Sequence, residues 1–348
     1  MGEQRPQLSV IIPTFNRVNV LAECLDLLCL QTIGPSHFEV IVCDDGSSDG
    51  TRQFLQTFSP PYKLTSLEQS NAGPSAARNR AIECARAPLI LILNDDTFLS
   101  PNAMELHLRQ HHENTEDKLS VLGRCEIDPL RIDDYFTNLV DQMHLILCHH
   151  ALGPTQTRTH FNHFFTCNIS VPTSALLEVG LFDEAFFKGC EDIELGYRLQ
   201  KAGWGVLYDP SIRSSHHHLQ TPESFCEMIS TRATGHILIW NKHPEIEDID
   251  LGLSTLNGAI LERTLRNGKD VVISQLRELI RAELTTINRS VGQFSNNVQE
   301  IDDPQSNLQN SLRKSIKSLH YYASFLGRVK SPHFLKVAQA ANPQLSCR

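Results

Sequence analysis

The sequence predicts an α/β fold, with a mixed but mostly parallel sheet flanked by helices and a helical C-terminal region. The first observation is that three segments, 8–15, 38–46 and 88–96, are continuously hydrophobic runs of strand length. Such runs are typical of parallel strands that are covered on both faces. The second observation is that each run is followed by a segment with apolar residues at helical spacing, which is the alternation of a parallel βαβ sheet.

Each remaining element of the first 125 residues follows from its local pattern. A weaker strand over 63–69 completes a set of four. Pro74 suits the first turn of a helix, because the N–H group that proline lacks would have no partner there. The predicted helices cover 17–32, 48–58, 73–87 and 100–114.

The chain is expected to divide at about residue 222. The first domain (1–222) has a regular half over about 1–125 and a less regular half over about 126–222, which is rich in histidine and aromatic residues. The helical region (223–348) contains segments predicted around 223–241, 254–266, 270–288 and 306–326. The third segment carries one apolar stripe that is expected to be buried. The stripe consists of Val272, Leu276, Leu279, Ile280, Leu284 and Ile287.

Composition and charge exclude several classes of protein. The 348 residues carry a formal net charge of −9, which argues against nonspecific binding of nucleic acid because that binding needs a positive field. No apolar run reaches the roughly 20 residues needed to span a bilayer, and the first residues lack the pattern of a secretory signal. The ten cysteines form no C-x-x-C pair and are predicted to be buried free thiols, so we expect a cytoplasmic protein.

Polar side chains follow three of the predicted strands at the point where each strand ends. They belong to Pro13-Thr14, Asp44-Asp45 and Asn94-Asp95-Asp96. Ligands of parallel sheets bind at the carboxyl ends of the strands, so these side chains are expected to face one site. Adjacent carboxylates repel each other unless a cation or a proton lies between them. Together with the nearby Arg78 and Arg80, the pattern suits a divalent cation and an anionic, nucleotide-like ligand.

Five ordered segments carry a family resemblance: LSVIIPTFNR, VIVCDDGSSDGT, NAGPSAARNRAI, LILNDDT and GCEDIELGYRLQKAGW. In these segments the sequence resembles family 2 glycosyltransferases with the GT-A fold, over about residues 7–220. The resemblance does not cover the helical C-terminal third. It implies that residues 1–125 bind a nucleotide-sugar donor, with a UDP- or GDP-sugar expected, and that residues 126–222 bind the acceptor.

The resemblance also implies a role for individual residues of the donor half. Asp96 would bind Mn²⁺ or Mg²⁺, and Asp95 would contact the ribose or sugar of the donor or reach the metal through water. Asn94 departs from the family pattern, which often has aspartate at this position. The other donor contacts implied are Asp45 to the nucleobase, Pro13 and Thr14 to the nucleoside, and Arg78 near the diphosphate.

For the acceptor half, the resemblance implies that Asp192 is the catalytic base of an inverting, single-displacement transfer. Glu191 is expected to bind the acceptor. A histidine after the YDP segment would complete the metal site; His216 matches best, and His218 is an alternative on the same strand face, with His217 between them.

Local structure offers another interpretation of each motif. Asp44-Asp45 could form a turn and a helix cap, Asp95-Asp96 and Asp192 could be helix caps, and the histidine run could be solvated. For the whole protein, a nucleotidyltransferase usually has a glycine-rich loop where this chain has PTFNR. A non-catalytic binding or scaffold protein would be expected to lose the carboxylates that are present here.

Acceptor and assembly are less constrained by the sequence. The acceptor could be a carbohydrate, a lipid-linked molecule or a small molecule; the family that the sequence resembles spans polysaccharide, glycolipid and protein acceptors, and fold alone does not choose between classes. The C-terminal helices could pack on the first domain, form a homodimer or contact the cytoplasmic face of a membrane. A solvated helix face is the alternative. The basic residues that suggest peripheral membrane contact are Arg313, Lys314, Lys317, Arg328 and Lys330.

Overall fold

The computed structural model describes residues 5–115, 117–127, 134–146, 152–187, 189–246, 268–296 and 307–334. The predicted helix over 254–266 lies outside these ranges. By its internal contacts the chain forms two compact units. Unit 1 comprises Met1–Asp133, Asp141–Phe187 and Glu191–His218, and unit 2 comprises Asp134–Val140, Lys188–Cys190 and Leu219–Arg348. The predicted donor and acceptor halves of residues 1–222 stay predictions.

Within the described ranges the chain forms nine strands and ten α-helices. The strands are β1 Leu8–Thr14, β2 Phe38–Asp44, β3 Lys63–Glu68, β4 Leu89–Ile92, β5 Thr97–Leu99, β6 Leu119–Ile127, β7 Thr157–Thr159, β8 Ile169–Pro172 and β9 Gly205–His216. The helices are α1 Val18–Leu28, α2 Thr51–Thr57, α3 Pro74–Glu83, α4 Ala103–Glu113, α5 Tyr135–Gln142, α6 Thr173–Val179, α7 Glu191–Lys201, α8 Pro222–Lys242, α9 Lys269–Asn296 and α10 Asn307–Lys330.

The strands of unit 1 form one mixed sheet in the order β3-β2-β1-β4-β8-β6-β9-β5, with β7 paired to β9. The half that was predicted from the sequence is parallel: β1 pairs with β2 and β4, and β2 pairs with β3. In the other half, β8 joins β4 and β6 in antiparallel pairs, and β6 pairs with β9 in parallel. The predicted fold class is confirmed.

The sheet is covered on both faces because the central strands are apolar on both sides. In β1, Val10 and Ile12 pack on one face with Leu21 and Leu25 of α1. Ile11 points to the opposite face, where the small side chains of α3 allow that helix to approach closely. This alternation follows from the two-residue period of a strand. It places α1 and α3 on opposite sides of the strand ends that carry the polar motifs.

The region 88–96 differs from its prediction as a single strand. Strand β4 ends at Ile92, and a turn closed by the Thr97 N–H and the Asn94 carbonyl, 3.1 Å apart, leads into β5. The three polar residues 94–96 need partners away from the apolar sheet interior, so the strand breaks there. Strand β5 then pairs antiparallel with the end of β9, with Thr97 opposite His216.

Unit 2 is built mainly from α8, α9 and α10. A capping box of Thr221 and Ser224 begins α8. Gly327 of α10 lies against the Ser230 carbonyl of α8, where a Cβ atom would overlap, and Thr234 donates a hydrogen bond to the Gly327 carbonyl over 2.8 Å. No helix in the described part of the chain is both long and apolar enough to cross a membrane.

Two details of unit 2 differ from the sequence predictions. Leu279, assigned to the buried stripe of α9, is 40% exposed, whereas Val272, Leu276, Ile280 and Ile287 are buried. Arg328, assigned to the basic cluster, is buried, because it lies in the last turns of α10 on the face that packs inward. An exposed basic patch therefore does not include Arg328, and contact with a membrane stays a prediction.

A chain of buried hydrogen bonds joins α4 to β8 inside unit 1. The Asn168 amide nitrogen faces the Ile212 carbonyl at 3.3 Å, so its oxygen is the acceptor for His107 Nε2 at 2.9 Å. His107 Nδ1 then accepts from the Ser170 hydroxyl at 2.8 Å, and Ser170 Oγ lies 2.8 Å from His111 Nε2. Burial lowers the pKa of His107 to about 4, since no carboxylate is bonded to the ring.

This network predicts that the protein loses stability as the pH falls from 6.5 towards 4. Below pH 6.5 the unfolded state binds a proton on His107 that the folded state does not bind, so protonation favours unfolding. A pKa lowered to about 4 corresponds to roughly 3 kcal/mol of unfolding free energy, present above pH 6.5 and lost progressively by pH 4. The measurement is denaturant unfolding of wild type and His107→Asn at several pH values.

The exposed His112 on the same helix provides a matched control as His112→Asn. We expect His107→Asn to reduce the pH dependence, with the contribution of His111, whose pKa burial also lowers to about 4, remaining, and His112→Asn to leave it as in wild type. Parallel curves for wild type and His107→Asn would contradict the assignment.

Candidate functional site

The candidate site is centred on two adjacent carboxylates in the turn after β4. Asp95 and Asp96 are 4% and 3% exposed. The Thr14 hydroxyl, at the end of β1, donates to Asp95 Oδ2 over 2.8 Å. The Arg17 guanidinium bridges the pair: Nη1 lies 2.9 Å from Asp95 Oδ1, and Nη2 lies 2.7 Å from Asp96 Oδ2. The end of β1 and the turn after β4 therefore meet, as expected for the carboxyl ends of adjacent parallel strands.

Arg17 is a residue that the sequence interpretation missed. Arg17 lies in a loop that is held by hydrogen bonds at the residues on either side of it, Asn16 and Val18. Asn16 adopts a left-handed φ of 54°, and its side chain accepts the Ser48 N–H at 2.7 Å. The Val18 N–H donates to Asp49 Oδ2 at 2.9 Å. The available signal was its position in PTFNR, only three residues beyond the end of the first strand.

Two of the three consecutive histidines at the end of β9 face Asp96. His216 Nε2 lies 3.3 Å from Asp96 Oδ1, and His218 Nδ1 lies 3.3 Å from Asp96 Oδ2. The pairing of β5 with β9 brings them there, and the backbone N–H of His217 donates to the Asp96 carbonyl over 2.8 Å. The His217 ring instead packs edge-on against Phe98. His216 and His218 are therefore the histidines beside the carboxylates.

The charges of this cluster are strongly interdependent. Burial raises the pKa of Asp95 to about 6, against the opposing effect of Arg17. Burial would also raise the pKa of Asp96, but His216, His218 and Arg17 outweigh it and hold that pKa well below its usual range. Burial disfavours the His216 cation, yet the Asp96 carboxylate raises the pKa of His216 to about 9. The ionised form is therefore favoured more strongly at Asp96 than at Asp95.

The donor set around Asp96 fits a divalent cation. Asp96 Oδ1 is buried and accepts no well-aligned hydrogen bond, although His216 Nε2 is close to it. Within the described ranges no group of three or more His, Cys, Asp or Glu side chains is arranged to hold a metal ion. Mg²⁺ commonly binds through one or two carboxylates, with phosphates and water completing its shell. Asp96, with His216 beside it, matches that kind of site.

Asp45 accepts hydrogen bonds from the loop that leads into α3. Its Oδ1 accepts from the Ala72 N–H and from the Gln69 amide at 2.8 Å each, and its Oδ2 accepts from the Gly73 N–H at 2.9 Å. These contacts are to the loop before α3, whereas the local turn considered for the motif is closed by Asp44, whose Oδ1 accepts the Ser47 N–H at 2.9 Å. A contact to a nucleobase would use the remaining acceptor capacity of the Asp45 carboxylate and stays a prediction. The contact predicted for Pro13 also stays a prediction.

Arg78 connects the carboxylate turn to the start of α7. Its Nη1 donates to Glu191 Oε1 at 2.9 Å and its Nη2 donates to Asn94 Oδ1 at 3.0 Å. The guanidinium lies over the Phe182 ring, and the side chain is 4% exposed. Both terminal nitrogens are therefore bound by protein groups. The predicted contact of Arg78 with a diphosphate stays a prediction and would need this arrangement to change.

Glu191 and Asp192 form the first turn of α7. Glu191 is buried, and its Oε2 has no hydrogen-bond partner among the described residues. Asp192 is half-buried, and its Oδ1 accepts from the Ile193 N–H at 2.8 Å. Asp192 is thus more accessible than its neighbour. Two hydrogen bonds of Arg78, one to Glu191 and one to Asn94, connect the start of α7 with the turn that carries Asp96.

The family model described as "Glycosyl transferase family 2" matches residues 9–183, which is half of the chain. The chain belongs to glycosyl transferase family 2. The matched residues contain β1 to β4, the carboxylate turn and Arg78. The predicted family resemblance is therefore confirmed.

Two relatives illustrate how far the similarity of this family 2 chain extends. The validoxylamine A glucosyltransferase of Streptomyces hygroscopicus subsp. limoneus is 34% identical over 233 residues, covering 58% of this chain and 51% of that protein. The uncharacterized glycosyltransferase YfnE of Bacillus subtilis is 26% identical over 290 residues, covering 71% and 73%. The chain spans about half the length of the Streptomyces relatives that it matches.

Solved structures support the fold. The mannosyltransferase PcManGT from Pyrobaculum calidifontis, in complex with GDP-Man and Mn²⁺, aligns with a TM-score of 0.52 at 17% identity, covering 99% of the family 2 chain and 76% of its own. Staphylococcus aureus TarS aligns with a TM-score of 0.50 at 16% identity, covering 96% and 55%. At these identities the likeness concerns the fold alone.

Proposed function

We propose that this chain transfers a sugar from a nucleoside-diphosphate sugar to an acceptor hydroxyl, with a divalent cation at Asp96 and with Asp192 as the general base. The observation that carries the proposal is the hydrogen-bonded connection Asn94–Arg78–Glu191. It holds the carboxylate turn, which could bind a cation for the donor diphosphate, in a fixed position relative to a second, more accessible carboxylate. A transferase needs both groups held in one frame.

On the donor side, the strand ends of β1 and β4 supply the binding groups. Thr14 holds Asp95, which we assign to the ribose or sugar hydroxyls of the donor. Asp96 would hold Mn²⁺ or Mg²⁺ through Oδ1, with His216 as a second ligand after it releases the proton that the Asp96 carboxylate favours on the ring. When bound there, the cation neutralises charge on the departing diphosphate. Asp45, Pro13 and Thr14 remain the proposed contacts to the nucleoside.

On the acceptor side, Asp192 would take the proton from the acceptor hydroxyl. The acceptor oxygen then forms a bond to the anomeric carbon as the bond from that carbon to the diphosphate breaks, and the nucleoside diphosphate leaves. Attack from the face opposite the leaving group inverts the configuration. A half-buried carboxylate at a helix start can accept a proton and remain in contact with solvent, which suits a base. Glu191 Oε2 is the proposed acceptor contact.

The proposed donors are UDP- and GDP-sugars, and the acceptor class remains a carbohydrate, a lipid-linked molecule or a small molecule. The proposal is supported by a relative named as a glucosyltransferase and by a structural neighbour solved with GDP-Man and Mn²⁺. We place the protein in the cytoplasm, because none of the eight cysteines in the described ranges takes part in a disulfide.

The test is a thermal stability screen of UDP, GDP, CDP and ADP, each with Mn²⁺, with Mg²⁺ and with EDTA. A ligand at about 100 times its Kd should raise the melting temperature by about 5 °C or more. We expect UDP or GDP to give this shift with a divalent cation and a smaller shift with EDTA. If no nucleoside diphosphate stabilises the protein with either cation, the donor-binding proposal is wrong.

A further inference from the structure

The side chain of Arg17 is the cation that faces both Asp95 and Asp96. Its two terminal nitrogens reach one carboxylate each, at 2.9 Å and 2.7 Å. Two nearly buried carboxylates side by side are unfavourable without a counter-charge. A guanidinium fork is well suited to bridge them, because its donors lie in one plane at fixed spacing. Arg17 therefore compensates the negative charge of the carboxylate pair, which is a role that a metal ion could also fill.

The backbone that carries Arg17 is fixed, whereas the side chain has room to leave. Hydrogen bonds from Ser48 to Asn16 and from Val18 to Asp49 hold the loop on both sides. The Arg17 side chain is 33% exposed, compared with 4% for that of Asp96. The guanidinium can therefore rotate into solvent without moving the loop or the carboxylates.

We propose that Arg17 is the built-in counter-cation of the Asp95–Asp96 pair, and that a divalent cation binds Asp96 by displacing the Arg17 guanidinium. The inference rests on the proposed function for the cation site itself. Arg17 Nη2 occupies Asp96 Oδ2 and approaches His218 Nδ1 to 3.4 Å, so it lies across one side of the predicted metal site. A doubly charged ion on the same carboxylate would repel the guanidinium.

The consequence is an order of binding. Without a donor, the cation must compete with a bidentate pair already in place, so its affinity is low. A donor diphosphate brings further ligands to the cation and negative charge for the released guanidinium. Metal uptake is thereby coupled to donor binding, and the carboxylates remain compensated in both states.

The test is titration of the nucleotide-free chain with Mn²⁺, followed by the electron paramagnetic resonance signal of the free ion. Arg17→Ala is expected to bind Mn²⁺ about tenfold more tightly than wild type, since charge-assisted bonds no longer have to be broken. Arg17→Lys keeps the charge but cannot bridge both carboxylates, so its affinity is expected to lie between the two. Arg52→Ala, which removes an exposed arginine paired with Glu68, should bind as wild type does.

Unchanged or weaker Mn²⁺ binding by Arg17→Ala would overturn the inference. Tighter binding by Arg17→Ala with wild-type binding by Arg17→Lys would also overturn it, because the effect would then be one of charge without displacement. A parallel titration with UDP or GDP separates the two proposals. If wild type takes up Mn²⁺ only with nucleotide and the variants match it throughout, the inference on Arg17 fails and the function stands. If no protein takes up Mn²⁺ even with nucleotide, both fail.

Discussion

Replacing Asp96 by asparagine is expected to lower the rate of sugar transfer about 100- to 1,000-fold, the loss typical of removing one group that stabilises transition-state charge. The amide keeps the shape of the side chain but supplies no negative charge to a cation. Of the pair, Asp96 is the member whose ionised form is favoured by His216, His218 and Arg17, which lower its pKa. Transfer is measured as release of nucleoside diphosphate from the donor that the stability screen identifies.

The same variant should lose the cation-dependent part of the thermal shift and keep the part seen with EDTA. This second readout separates loss of the cation from loss of the fold, because an unfolded variant would show neither part. Asp26→Asn provides the matched control, since Asp26 is an exposed aspartate on α1. Full transfer activity in Asp96→Asn would contradict the assignment of Asp96 as cation ligand.

Replacing Asp192 by asparagine should remove transfer and preserve donor binding. Loss of a positioned general base typically costs about 100- to 10,000-fold in rate. The asparagine oxygen can still accept the Ile193 N–H that Asp192 Oδ1 accepts now, so the first turn of α7 should be retained. The expected result is a wild-type thermal shift with nucleotide and cation, together with a large decrease in kcat.

Asp183→Asn tests whether any nearby aspartate would give the same result. Asp183 caps a turn through the Ala185 N–H, which an asparagine can also do. We expect this variant to transfer sugar at the wild-type rate. If Asp192→Asn also transfers at that rate, a non-catalytic cap is the correct description of Asp192, and the base must be sought elsewhere.

The parallel half of the sheet could be predicted from the sequence because its signals are local. Continuous apolar runs and helical spacing define β1, β2 and β4 within windows of about ten residues. The pairing of β5 with β9 could not be predicted in this way, since Thr97 and His216 are far apart in the chain and β5 has only three residues. That pairing is what brings the histidines to Asp96.

The residues of the site were predictable to different degrees. The hydrophobic pattern of the strands predicts where the strand-end residues lie, and Thr14 does contact Asp95. The same pattern does not predict which side chains bind each other. Arg17 follows the first predicted strand and Arg78 lies in the helix predicted over 73–87, and the family resemblance favoured Arg78 as the arginine near the diphosphate. In the structure Arg78 is buried against the Phe182 ring, and its terminal nitrogens bind Glu191 and Asn94. Arg17 is the arginine at the carboxylate pair.

The amide side chain of Asn94 determines how Arg78 divides its contacts between Asn94 and Glu191. Asn94 offers Arg78 a neutral oxygen, so the single positive charge of Arg78 remains available to Glu191. An aspartate at this position would compete with Glu191 for that charge and would add a third carboxylate beside Asp95. Asparagine at position 94 therefore allows the glutamate beside the proposed base to be buried as an ion pair with Arg78. The residue type in the carboxylate turn is thereby tied to the geometry at the start of α7.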